Sequence, residues 1–99
     1  MLLKLTLENL SEIKILPEEK RGLENLLKLA EKLWYEIYLF WSRTKWWWSD
    51  IDLIVKWNRK PSLKDILKLS VAFHKYSDTK LDLIPYCEKT KNFIEYLAE

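Results

Sequence analysis

The chain has 99 residues, 48% hydrophobic and 32% charged, with a formal net charge of +2. This sets the expectation of one small domain, residues 1–99, with enough apolar content for a single core. The near-neutral charge argues against a dedicated nucleic-acid binder. No apolar run is long enough to cross a bilayer, and the single cysteine, Cys87, permits neither an internal disulfide nor a cysteine-based zinc site.

Met1-Leu2-Leu3-Lys4 is soon followed by Glu8 and Glu12, which does not read as a signal peptide, so a cytoplasmic location is expected. Thr6 can cap a short helix carrying Leu7, Leu10, Ile13 and Ile15 or Leu16. Pro17-Glu18-Glu19 opens a longer helix, because Pro suits the first turn and acids suit the helix dipole. Leu23, Leu26, Leu27, Ala30 and Leu33 give it an apolar stripe at spacings of three and four. Gly22 weakens this helix or marks its start. Residues 35–41 are aromatic and β-branched and predict a strand, as do residues 51–57. Asn58-Arg59-Lys60-Pro61 is a turn. Ser62 is an N-cap, and Leu63, Ile66, Leu67, Ser70 and Val71 form one face of the helix that follows. Ser77-Asp78-Thr79 is a loop, residues 80–84 a third strand stopped by Pro85, and residues 87–98 a last helix with Phe93, Ile94 and Leu97 inward. The order helix, helix, strand, turn, strand, helix, strand, helix predicts a small α/β (α+β) fold, a mixed sheet with helices packed on it.

The chemistry lies between the first two predicted strands. Asp50 and Asp52 are one residue apart on a strand and so share a face, away from Ile51, Leu53 and Val55. Like charges side by side repel unless a cation sits between them, which makes a divalent metal the leading explanation. Asp82, flanked by Leu81 and Leu83 on the third strand, also faces away from the core. Three carboxylates on neighbouring strands suit Mg²⁺, with waters and substrate phosphates completing its shell. The competing reading is plainer: Asp50 caps a strand, and Asp52 and Asp82 are solvated.

Leu39-Phe40-Trp41-Ser42-Arg43, a short spacer and Ser49-Asp50-Ile51-Asp52-Leu53 resemble the active-site signature of the nucleotidyltransferase superfamily that includes DNA polymerase beta. The match is best to its small stand-alone members, the minimal nucleotidyltransferases. The resemblance implies transfer of a nucleoside monophosphate, expected to be AMP from ATP, with Mg²⁺ held by Asp50, Asp52 and Asp82. Trp41, Ser42, Arg43 and Lys45 would then line the nucleotide. It also implies an antitoxin role beside a HEPN-type toxin protein whose tyrosine is the acceptor. A chain this small has no second substrate domain, so a partner or a second copy would complete the acceptor site.

The family has Gly at the position of Trp41 and near that of Trp46, and related chains often have Gly where Trp57 stands. Those glycines let backbone N–H groups approach phosphate oxygens. With Gly22 the one glycine left, the pattern suggests an engineered variant or a codon for Gly read as Trp. A Trp at 41 would occupy triphosphate space. The spacer between Ser42 and Asp50 is also shorter than the family's. An alternative reading is therefore a catalytically impaired module that neutralises a partner by contact, and a third is an aromatic-rich nucleic-acid binder. Trp46-Trp47-Trp48 would stack on a base or simply pack. Tyr35, Tyr38 and Phe40 read as core, His74 as a helix-end cation, and Cys87 as a small buried residue.

Overall fold

The computed structural model describes residues 2–13, 15–40, 51–57 and 61–86. The first unit is β1 (Leu2–Lys4), which the sequence reading missed, followed by a 3₁₀ turn over Asn9–Glu12. The expected short helix is thus only that turn. Thr6 does help to fix it, since its hydroxyl accepts the Asn9 N–H at 3.2 Å while Asn9 Oδ1 accepts the Thr6 N–H at 2.9 Å.

Helix α1 (Pro17–Lys32) starts at the expected proline. Its N-cap, Leu16, has no side-chain acceptor, so only half of a capping box forms: Glu19 Oε1 accepts the Leu16 N–H at 2.9 Å. Leu23, Leu26, Leu27 and Ala30 are buried, as their spacing predicts. Gly22 does not mark the start of α1, which begins at Pro17. It is buried in the interior, where a Cβ would meet the Phe73 carbonyl oxygen at 2.7 Å.

Helix α1 closes on a left-handed residue. Trp34 has φ 66°, its N–H bonds the Glu31 carbonyl at 3.2 Å, and the Tyr35 N–H bonds the Ala30 carbonyl at 2.9 Å. Those two bonds are the Schellman pattern, whose left-handed position normally belongs to glycine.

Strands β2 (Glu36–Phe40) and β3 (Ile51–Lys56), helix α2 (Leu63–His74) and β4 (Leu81–Pro85) complete the described fold. Pro85 is the last residue of β4 rather than the residue that stops it. Ser62 caps α2 as expected, accepting the Asp65 N–H at 3.2 Å. The sheet order is β1-β2-β3-β4, with β1/β2 and β2/β3 antiparallel and β3/β4 parallel. A parallel pair needs a crossover, and α2 supplies it. The described residues therefore form a small mixed α/β fold: a four-stranded sheet with two helices on one face.

The core lies between that face and the helices: Ile37, Ile51, Leu53 and Val55 from the sheet meet Leu23, Leu26, Ala30, Leu69 and Phe73. The face expected for α2 is right only in part: Ile66 packs against the core. Leu63, Leu67 and Val71 are 73%, 57% and 69% exposed, whereas Leu69 and Phe73 are fully buried. No helix among the described residues is long and apolar enough to cross a membrane. The expected helix over 87–98 and the turn at 58–60 lie outside the described residues.

Candidate active site

β3 and β4 run in parallel with Asp52 directly paired to Asp82, Leu53 to Leu83 and Ile51 to Leu81. Paired residues on neighbouring strands project to the same side, and the strands lie about 4.8 Å apart. Leu53 is fully buried, and Leu81 and Leu83 pack on the core, so the two aspartates emerge on the opposite face. Both are half-exposed. The alternation seen in the sequence therefore places two carboxylates as neighbours on separate strands. It is not complete along β3, because Ile54 shares the aspartate face and is buried at 1% exposure.

The third acid, Asp50, lies outside the described residues, as do Trp41, Ser42, Arg43, Lys45 and Trp46. Their anchors are informative. Residues 41–50 connect Phe40, the end of β2, to Ile51, the start of β3 and the residue before Asp52. Asp82 is likewise the second residue of β4. The two residues that flank the signature thus lie at the end of the sheet that carries both aspartates. Among the described residues no three metal-binding side chains converge. Carboxylate oxygens are the donor type that a hard divalent cation prefers.

The rest of the aspartate face mixes the paired Ile54 and Ile84 with cross-linked polar groups. Tyr38 donates to Glu36 Oε2 at 2.8 Å, Lys4 Nζ approaches Glu36 Oε1 at 4.0 Å, and Lys56 Nζ sits 5.2 Å from the Tyr86 ring centre. Partial burial, then the bond to the Glu36 carboxylate, raise the Tyr38 hydroxyl above its ordinary pKa. Tyr38 therefore belongs to this face rather than to the core with which it was grouped.

On the helix side, Tyr35 packs against the core and donates to Asp65 Oδ2 at 2.6 Å, tying the lead-in of β2 to the first turn of α2. Burial, then that bond, raise the Tyr35 hydroxyl, and the same bond holds the Asp65 carboxyl below the usual carboxylate range. Glu19 makes a second tie: its Oε2 accepts the Thr79 hydroxyl at 2.5 Å, holding the loop before β4 against the start of α1. The sequence reading gave Glu19 only a dipole role, since residues 60 apart carry no local signal. His74 Nδ1 lies 3.0 Å from the Ser77 carbonyl oxygen, which only accepts, so this nitrogen carries the proton and closes α2 onto the loop.

Trp57 has no left-handed backbone, and its ring packs edge-on against Tyr35 at 6.3 Å. Conformation gives no reason for glycine there. Compared with known proteins, the chain matches no family model, no curated protein and no solved structure.

Proposed function

We propose that this chain is a metal-dependent nucleotidyltransferase whose site lies at the β2/β3/β4 end of the sheet, on the face away from the helices. One observation carries the reading: Asp52 and Asp82 stand in register on parallel neighbours, at the end where the Ser42–Asp50 signature joins the sheet. Asp50, Asp52 and Asp82 would hold Mg²⁺, which when bound neutralises triphosphate charge and aligns the α-phosphorus. An acceptor hydroxyl oxygen bonds to that phosphorus as the bond to the bridging oxygen breaks and pyrophosphate leaves. One of the three carboxylates takes the hydroxyl proton. Ser42, Arg43 and Lys45 would contact the phosphates. The resemblance extends the proposal to ATP as donor, AMP as the group moved and a HEPN-type toxin as acceptor, which makes the chain an antitoxin.

The test is isothermal titration of the full chain with ATP and Mg²⁺. Wild type binds only with the metal present, and Asp52→Asn and Asp82→Asn each weaken binding by about tenfold or more, as removal of a charged metal ligand does. Trp41→Gly tightens binding by opening phosphate space. Nucleotide binding indifferent to both aspartates would end the assignment, and tight binding by the Trp41 form would end the steric argument.

A further inference from the structure

The two helices expose an apolar groove that none of the other described elements lines. Leu63, Leu67 and Val71, one turn apart along the outer side of α2, combine with Ala72 and with Leu29 of α1 to line a cavity of about 740 Å³. Three of these side chains are more than half exposed. Its charged lining residues are Lys64 and Lys68, with no carboxylate among them. Lys28 and Lys32, exposed on α1, flank Leu29 in sequence and one turn on. Asp65, the acid beside Lys64, bonds Tyr35 and also feels the charges of Lys64 and Lys68, so it offsets part of their charge; Lys28 and Lys32 keep the rim cationic on balance. The surface is therefore a hydrophobic trough with a cationic rim.

We propose that this groove docks an amphipathic helix of a partner protein, one that carries an apolar stripe flanked by Glu or Asp. The spacing of Leu63, Leu67 and Val71 follows the helical repeat, so a helix laid along the trough meets an apolar side chain at each turn. Charge decides the occupant. A second copy docking by the same patch about a twofold axis brings Lys64 and Lys68 against their own equivalents. An acidic flank instead meets all the rim lysines with opposite charge. The site lies on the helical face, opposite the side of the sheet carrying Asp52 and Asp82, so docking needs neither nucleotide nor metal and stands apart from the transferase reading.

The test uses the full chain without nucleotide or divalent metal, and two fluorescein-labelled helical peptides. Both carry the same leucine stripe, with Glu flanks in one and Lys flanks in the other. Fluorescence anisotropy is expected to show saturable binding of the Glu-flanked peptide, about tenfold or more tighter than the Lys-flanked one, and weaker as salt rises. Leu67→Glu abolishes binding while circular dichroism and thermal midpoint stay at wild-type values, because the site is on the surface. Lys64→Glu with Lys68→Glu reverses the peptide preference. Four results overturn the proposal: equal affinity for both peptides, no binding of either, sedimentation showing a dimer that Leu67→Glu dissolves, or phosphatidylserine vesicles displacing the Glu-flanked peptide.

Discussion

Trp34 holds a left-handed backbone with its ring 78% exposed, so it bears the steric penalty of a side chain there and recovers little burial. Trp34→Gly is expected to raise stability by about 1 kcal/mol, read as a higher urea midpoint at unchanged slope. A fall would mean that the ring makes contacts worth more than the strain. This position was not legible in the sequence, because the place of the left-handed residue depends on the turn at which α1 ends. It joins Trp41 and Trp46 as tryptophan where glycine is expected, now on backbone grounds. A source gene whose own code gives Gly there, against an intact mass that gives Trp, would trace all three to one cause. Gly22 is the converse case. A methyl at this site meets the Phe73 carbonyl oxygen at 2.7 Å and Cδ1 at 2.8 Å, and the carbonyl belongs to a helix that cannot yield cheaply. Gly22→Ala should therefore destabilise by about 1–3 kcal/mol through overpacking, against a helix-propensity gain of about 1. Thermal denaturation of the variant checks the sign.

At the scale of elements, the strongest local signals were the most legible. Pro17 and Ser62 mark helix starts by chemistry that needs no tertiary context, and the strand runs before and after the signature are apolar enough to read directly. β1 was missed because three residues carry no periodicity. The α2 face was misread because the helix has two interlaced apolar stripes, Leu63/Leu67/Val71 and Ile66/Leu69/Phe73, and either satisfies the repeat. Only the opposing surface of α1, where Gly22 admits the Phe73 ring, chooses between them. The choice is measurable. Leu69→Ala should cost about 2–5 kcal/mol and Leu67→Ala no more than about 0.5. Equal costs would mean that both stripes are buried. The Tyr35–Asp65 bond adds a pH signature. Asp65 titrates below its ordinary 3.8 in the folded state, so its contribution is present above that pH and is lost as acid takes the carboxylate through its folded pKa. Tyr35 titrates above 10.0, so its contribution is present below that pH and is lost as alkali rises through its folded pKa. Tyr35→Phe should flatten both ends of the stability–pH curve, leaving Tyr38 alone to act at the alkaline end. A curve of unchanged shape would show that the bond contributes nothing in solution.

For the whole molecule, the parallel crossover through α2 is what makes Asp52 and Asp82 neighbours. Residues 30 apart in the chain meet because β4 returns beside β3 in register, and a slip of one residue would send Asp82 into the core. The sequence showed the outward face of each acid but not their alignment, which depends on the length of α2 and on the tie from Glu19 to Thr79. A cation held by both carboxylates, as proposed, would stabilise the folded state by binding linkage. Stability should therefore depend on divalent metal in a way that names both residues. Saturating Mn²⁺ or Mg²⁺ with ATP should raise the wild-type thermal midpoint, by about 2.7 kcal/mol of binding linkage at a ligand concentration one hundred times the dissociation constant. In chelator, Asp52→Asn with Asp82→Asn should melt close to wild type, since both side chains are partly exposed and lie outside the core cluster. The double variant should then gain nothing from metal and nucleotide. If instead it melts well below wild type in chelator, the aspartates serve the fold rather than a cation, and the carboxylate pair loses its claim to be the centre of the site.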